Sequence, residues 1–116
     1  MLIKKAMKQY VIDELRPTEE NRLRTFMDEN YGPAEMGGIY WIRLPDALLT
    51  DVQASHTGCR PFYFVADMNN ASISLELLVR TRNAIRCSCI GYATAEQRDW
   101  IIRLMDDILK ELNIIT

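Results

Sequence analysis

The chain has 116 residues, of which 48% are hydrophobic and 26% charged, and its formal net charge is −2. This composition excludes wholesale disorder, and the length suits one hydrophobic core that folds without disulfides or a structural metal. The acidic balance argues against a nucleic-acid partner, because a basic excess supplies most of the affinity of such proteins for phosphate.

The first half of the chain predicts two strands and two helices. Residues 10–15 are rich in β-forming side chains and predict a strand that stops before Pro17. Thr18 suits a helix N-cap, and apolar residues at helical spacing carry that helix to Tyr31. Residues 39–44 are almost continuously apolar, which predicts a strand inside the sheet. Pro45 then fits the entry to a short helix.

The second half predicts three consecutive strands, at 61–68, 72–80 and 84–92, and a final helix. Asn69-Asn70 indicates a two-residue turn that pairs Phe64 with Leu75. A three-residue loop at 81–83 keeps the third strand in step with the second. Thr94 and Gln97 match a capping box before the helix. The expected shared core consists of Phe62, Phe64, Leu75, Leu77, Ile85, Ile101, Leu104 and Ile108.

These elements predict an α+β fold in the order β-α-β-α-β-β-β-α. We expect a mixed or antiparallel sheet of about five strands, with three helices mainly on one face. Residues 1–116 form a single domain in this interpretation, and residues 1–8 are either a flexible or a covering segment. No long apolar run predicts a signal peptide or a membrane span, so no membrane partner is expected. Three cysteines make an odd number and favour reduced thiols in the cytoplasm.

One set of residues has the chemistry of a tetrahedral zinc site. His56-x-x-Cys59 and Cys87-x-Cys89 together offer one imidazole and three thiolates. Their spacing matches no familiar zinc motif, and Cys87 and Cys89 share a strand face with Ile85 in the predicted sheet. Because free cysteine behaves as a small hydrophobe, we expect these thiols to be buried in the core without metal, and no cofactor is required. A zinc site at these four residues is the alternative.

A second set of residues lies on the opposite face of the three predicted strands. This face mixes aromatic, aliphatic and charged side chains, as ligand pockets and protein interfaces do. It is predicted as a ligand site or interface, or else as a face that another part of the chain covers. Its members are Tyr63, Val65, Glu76, Leu78, Arg86, Ser88, Ile90 and Tyr92.

The sequence names no reaction, and we carry three functional hypotheses. The first is a small non-enzymatic binding domain of the cytoplasm that forms a homodimer through a face or an edge of the sheet. Its partner could instead be another protein or a small molecule. The second is a metal- or thiol-dependent protein that uses His56 and the three cysteines. The third is a small-molecule enzyme at Tyr63, Glu76 and Arg86. No catalytic residue is assigned, because no nucleophile and base are paired by spacing.

Overall fold

An antiparallel sheet organises the protein, whose structure is a computed structural model that describes residues 8–115. The strands are β1 (Gln9–Ile12), β2 (Ile39–Arg43), β3 (Phe62–Asn69), β4 (Ser72–Glu76), β5 (Leu78–Thr81) and β6 (Gly91–Tyr92). The helices are α1 (Pro17–Tyr31), α2 (Asp51–Ser55) and α3 (Ala95–Glu111), with short 3-10 turns at Asp46–Leu48 and Thr57–Cys59. The predicted α+β class, with one antiparallel sheet and three helices, is confirmed.

Strand β3 is the centre of the sheet. It pairs with β2 along one side, and it pairs with β4 and then β5 along the other. Strand β1 lies beyond β4, and β6 lies beyond β5. The sheet is therefore four strands wide at each end. The strand order is β2-β3-β4-β1 at one end and β2-β3-β5-β6 at the other.

Leu77 separates β4 from β5. Its N–H donates to the carbonyl of Lys8 at 2.9 Å, and its carbonyl accepts from the N–H of Ala93 at 2.9 Å. The backbone of Leu77 thus turns away from β3 and bonds to the chain segments beside β1 and β6. Between the Ala66–Leu75 and Tyr63–Arg80 pairs, two residues of β3 lie opposite four residues of the segment that runs from β4 into β5. This is a β-bulge, a feature that bends the strand that carries it.

The predicted pairing of Phe64 with Leu75 is wrong by two residues, since Leu75 pairs with Ala66. The shift is even, so each side chain stays on the face that the sequence predicted. The turn residues are Asn70 and Ala71, one position later than expected, because Asn69 pairs with Ser72. A tertiary contact fixes this turn: the N–H of Ala71 donates to a carboxylate oxygen of Glu20 in α1 at 2.8 Å.

The core lies between the sheet and the helices α1 and α3. Phe62, Phe64 and Ala66 alternate along β3 and are fully buried against these helices. Two phenols also tie strands to helices: Tyr10 donates to Asp106 of α3 at 2.7 Å, and Tyr40 donates to Asp28 of α1 at 2.6 Å. Every predicted core residue except Ile85 is buried in this cluster or packs against it.

The predicted strand at 84–92 is wrong except at its end. Only Gly91 and Tyr92 pair with β5, and residues 82–90 form a loop that leaves the sheet. The amide of Asn83 explains the departure, because it donates to the carbonyls of Gly58 and Arg60 and draws the chain towards the turn that follows α2. Ile85 is consequently 93% exposed. The prediction for the segment 1–8 lies outside the described residues, apart from Lys8.

Candidate metal centre

Four side chains converge where the loop 82–90 meets the end of α2. They belong to His56, Cys59, Cys87 and Cys89, and their ligand-type atoms all lie within 4.8 Å of one another. The imidazole Nδ1 of His56 is 2.9 Å from the Sγ of Cys87, although the two residues are 31 positions apart. Cys89 is buried, and the other three side chains are half-buried. The three thiols are free, without a disulfide among them.

The first pair of residues is positioned by the end of a short helix. Thr50 and Gln53 form a capping box that starts α2. His56 caps its C-terminus, with its N–H directed at the carbonyls of Val52 and Gln53. The chain then makes a 3-10 turn in which the N–H of Cys59 donates to the carbonyl of His56 at 2.9 Å. This turn brings the side chains of His56 and Cys59 to the same side.

The second pair of residues is positioned by a tight turn. The N–H of Ile90 donates to the carbonyl of Cys87 at 3.0 Å, which folds the segment Cys87-Ser88-Cys89 back on itself. Both thiols therefore face the α2 end, whereas Ser88 between them is exposed. Cys87 and Cys89 were predicted to lie on a strand face with Ile85, and this prediction is wrong because the loop turns them out of the sheet.

Buried amides hold the two ligand-bearing segments against each other. Gln53 donates to the carbonyl of Cys89 at 3.3 Å. Gln97, which is fully buried at the start of α3, donates to the side-chain oxygen of Gln53 at 2.9 Å and to the carbonyl of Leu48 at 2.8 Å. Thr81 donates its hydroxyl to the carbonyl of Cys59. These bonds hold the backbone at Cys59 and Cys89 close to the end of α2.

The cluster favours a negative charge on one sulfur. Hydrogen bonds from the side chain and then the backbone N–H of Cys89 lower the pKa of the Cys87 thiol to about 6, and His56 and Cys59 add to the effect. Burial raises the pKa of the Cys89 thiol to about 12, with its hydrogen bond to Cys87 as the second cause. The surroundings therefore favour the thiolate form at Cys87 and disfavour it at Cys89. A thiolate is the form of cysteine that binds a metal or acts as a nucleophile.

The geometry suits a tetrahedral ion. A zinc ion with metal–sulfur bonds of about 2.3 Å places its sulfur ligands about 3.8 Å apart. The widest separation in the cluster is within 4.8 Å, so the sulfur atoms need to approach one another by no more than about 1 Å. The Nδ1 of His56 and the Sγ of Cys87, now 2.9 Å apart, move slightly apart to about 3.5 Å when both bind the same ion. Three sulfur ligands and one imidazole suit zinc, whereas magnesium and calcium prefer oxygen ligands.

The predicted ligand or interface residues are only partly brought together. Tyr63, Val65, Glu76 and Leu78 do share the face of the sheet that is opposite the helices. Tyr92 is 50% exposed at the edge of this face. The remaining three were predicted from a strand that does not form, and they lie instead on the loop 82–90: Arg86, Ser88 and Ile90.

Arg80, and not Arg86, is the arginine of this sheet face. Its guanidinium forms a bidentate ion pair with the carboxylate of Glu76. Arg80 lies opposite Tyr63 in the pairing of β3 with β5. Arg86 is exposed on the loop. The third hypothesis, an enzyme at Tyr63, Glu76 and Arg86, therefore loses its arginine, and Arg80 occupies the expected place because the bulge at Leu77 shifts the register.

Sequence reasoning missed two side chains of this face, Trp41 and Arg82. Trp41 belongs to the strand that was predicted to be inside the sheet and was given no role on this face, yet it lies opposite the helices and contacts the ring of Tyr63 edge-on, with centroids 5.7 Å apart. The guanidinium of Arg82 covers its ring at 4.3 Å. The alternation in β2 contained the signal, since Tyr40 and Ile42 are buried and Trp41 between them faces the other way.

Comparison with known proteins finds no matching family model, no similar curated protein and no similar solved structure. Within residues 8–115, no helix has the length and apolar character needed to cross a membrane.

Proposed function

We propose that this chain is a zinc-binding domain of the cytoplasm in which His56, Cys59, Cys87 and Cys89 are the four metal ligands. The observation that carries the proposal is the convergence of all four ligand-type atoms within 4.8 Å from two segments far apart in sequence. A reducing compartment supports it, because oxidised cysteines cannot serve as thiolate ligands. If the cysteines were only buried apolar side chains, neither this convergence nor the hydrogen bond between His56 and Cys87 would be explained.

The proposed zinc is structural. Four protein ligands fill a tetrahedral shell, whereas a catalytic zinc keeps one position for water or substrate. An ion at this site joins the loop 82–90, which makes only two ladder pairs through β6, to the end of α2. The metal thus supplies the cross-link that the short strand β6 does not provide.

Thiol catalysis is the competing explanation for the same residues. The close contact between His56 and Cys87 resembles a nucleophile paired with its base. Such a pair needs a third group to orient the base and a cleft for substrate. Here the neighbours of the pair are two further thiols, Cys59 and Cys89, which are what a metal requires. Metal coordination therefore accounts for all four residues, and catalysis accounts for two.

The metal content of the purified protein tests the proposal. Protein prepared without chelator is expected to carry one zinc ion per chain. Replacement by Co²⁺ is expected to give the intense visible absorption of a tetrahedral site and sulfur-to-metal charge-transfer bands. Cys87→Ser and His56→Ala are expected to lower the metal affinity by at least about tenfold, as the loss of one ligand implies.

Ser88→Ala is the matched control, since Ser88 lies between two ligands but is exposed. It is expected to bind the metal as the parent does. Protein that contains no zinc, gives no tetrahedral Co²⁺ spectrum and has a Cys87 that iodoacetamide alkylates equally fast with and without added zinc contradicts the metal proposal and favours thiol chemistry.

A second candidate function is self-association through the sheet face opposite the helices, which we call the open face. Along β3, β4 and β5, each side chain on this face keeps some exposure, whereas its neighbours on the other face are buried. Val11 and Tyr92 are 43% and 50% exposed at its edge. Apolar surface costs roughly 25 cal/mol per Å² to leave in water, and a two-fold dimer is the commonest way to remove it.

The charges of the open face support a two-fold contact. Arg43 and Arg80 lie beside the beginning of β3, whereas Asp67 lies near its end. A two-fold axis that lies between the two copies, parallel to the sheet and perpendicular to β3, reverses the strand direction. The basic end of one copy then meets the acidic end of the other, and complementary charges of this kind fix the orientation of an interface.

Leu78→Asp tests this candidate, because it places a charge in the middle of the open face. Sedimentation of the parent at high micromolar concentration is expected to show a dimer, and the variant is expected to be a monomer. Ile115→Asp makes the same change at an apolar residue that is 91% exposed and lies outside the strands, and it should leave the dimer intact. A monomeric parent, or a dimer that tolerates Leu78→Asp, excludes the open face as the interface.

A further inference from the structure

A cavity of about 330 Å³ lies between β2, the end of β5 and the loop 82–90. This volume is at the lower end of the range for small-molecule sites, which is about 300–1,000 Å³. Its apolar wall comes from three residues of the loop, and its polar wall comes from the strands and from Arg82 at the start of the loop. The lining residues are Trp41, Arg80, Thr81, Arg82, Ala84, Ile85 and Ile90.

The polar wall of this cavity offers hydrogen-bond donors. Arg80 and Arg82 carry five N–H groups each and no acceptor, and the indole of Trp41 carries one donor. The hydroxyl proton of Thr81 is already donated to the carbonyl of Cys59. A group that satisfies this wall must therefore accept hydrogen bonds, as a carboxylate or a phosphate does.

Both guanidinium groups are held in place by carboxylates outside the cavity lining. Glu76 accepts from the Nε and Nη2 of Arg80, and Glu35 accepts from the Nη2 of Arg82 at 2.6 Å. These ion pairs use only part of the donors on each arginine. The remaining N–H groups stay free for a ligand, while the side chains lose little further freedom when the ligand binds.

The indole of Trp41 supplies the observation that points to a ligand. Its Nε1 is buried and has no hydrogen-bond partner among residues 8–115. A buried donor without a partner costs about 1–3 kcal/mol, and few of them persist in folded proteins. Trp41 lines the cavity, and its Nε1 becomes accessible to a ligand there after a small shift of its neighbours, Tyr63 at the edge of the ring or Arg82 over one face.

We propose that this cavity binds a small organic anion, in which a carboxylate or phosphate group is attached to an apolar body such as a ring. The anionic group accepts from Trp41, Arg80 and Arg82. The apolar body lies against Ala84 and Ile90, with the exposed side chain of Ile85 at the rim. None of the four proposed zinc ligands lines this cavity, so an anion bound there uses none of them.

The test follows the indole N–H signals of the two tryptophans by ¹H–¹⁵N correlation NMR. The probes are benzoate and phenyl phosphate, with benzylamine as a cation of similar size. Both anions are expected to shift the Trp41 signal downfield in a saturable manner. The Trp100 signal serves as the internal control and should not move, because its half-buried ring stacks on Phe64 on the helix side of the sheet and does not line this cavity. The tighter of the two anions identifies the ligand group as carboxylate or phosphate.

Arginine variants distinguish binding of the anion in this cavity from non-specific electrostatic attraction to the protein surface. Arg82→Met and Arg80→Met are each expected to weaken binding at least about tenfold, as the loss of a charge-assisted hydrogen bond implies. Trp41→Phe assigns the indole signal and is expected to weaken binding severalfold, measured on the backbone amide of Ile85. Arg43→Met is the matched control on the same face, since Arg43 pairs with Asp46 and does not line the cavity. It should bind within about twofold of the parent.

The proposal is overturned if neither anion shifts the Trp41 signal in a saturable manner at 20 millimolar, which is roughly the weakest affinity expected of a fragment. It is also overturned if benzylamine shifts that signal as much as the anions do. Unchanged anion affinity in both Arg80→Met and Arg82→Met overturns it as well. Zinc content is measured on the same samples. Protein without metal that still shows the Trp41 shift contradicts the zinc proposal alone, and zinc-loaded protein without the shift contradicts this one alone.

Discussion

Cys89→Ser is expected to abolish zinc binding and to lower the free energy of unfolding by about 4 kcal/mol when zinc is present at roughly a thousand times its dissociation constant. Cys89 is the most buried of the four ligands, at 2% exposed, and its carbonyl already bonds to Gln53. The loss of its thiolate opens the tetrahedral shell on the side that faces the core. For a domain of this length, about 4 kcal/mol corresponds to a fall in Tm of roughly 15 °C.

Thermal unfolding followed by circular dichroism measures this effect, with zinc-loaded and chelator-treated samples of the parent and of Cys89→Ser. The parent is expected to lose stability on chelation, and the variant should be insensitive to chelator. Hydrogen exchange is expected to increase first in residues 82–93, because the loop and β6 depend most on the cross-link. Ser88→Ala should behave as the parent does. A parent whose Tm does not respond to chelator contradicts a structural zinc.

The loop that carries Cys87 and Cys89 shows where the sequence was misleading. Ile85, Cys87 and Cys89 alternate with polar residues, which is the pattern of a half-buried strand. In the structure the alternation arises because two ligand-type residues flank an exposed serine in a tight turn. Local periodicity cannot distinguish these cases, since the decisive contacts come from Asn83 to Gly58 and Arg60, more than 20 positions away.

The residues of the candidate metal site could be named from the sequence because their side-chain chemistry is that of zinc ligands. Their convergence could not be predicted, since it depends on how α2 lies against the start of α3. Gln97 and Gln53 make that connection through buried amide bonds. Neither residue has a spacing that marks such a role. The capping box of Gln97 was predicted correctly, but a cap accounts only for its local bonds.

The faces of the sheet, in contrast, could be predicted even though the register was not. The anchored turn at Ala71 displaces the pairing of β3 with β4 by two residues, and the bulge at Leu77 displaces the pairing of β3 with β5 by two more. Because side chains alternate with a period of two, an even displacement leaves every residue on its own face. The apolar run from Phe62 to Met68 therefore indicated the core face correctly, and Tyr63 and Val65 indicated the open face.

The second large effect is on the free energy of unfolding, and it distinguishes two adjacent residues of β3. Phe64→Ala is expected to lower the free energy of unfolding by about 3–5 kcal/mol, because the side chain is fully buried and its loss leaves a cavity beside Trp100. Val65→Ala removes side-chain atoms one position further on, from a half-buried residue of the open face. It should cost less than about 1.5 kcal/mol in the monomer, since only part of a valine side chain leaves the protein.

Urea denaturation of the two variants at low micromolar concentration measures the difference, with the slope of each transition confirming that both unfold from the same compact state. Equal costs for the two substitutions contradict a sheet with one buried and one open face. Repetition at high micromolar concentration adds a further comparison. If the open face is a dimer interface, the cost of Val65→Ala grows with protein concentration, because dissociation then accompanies unfolding. The cost of Phe64→Ala stays the same, since Phe64 lies on the helix side of the sheet in either state.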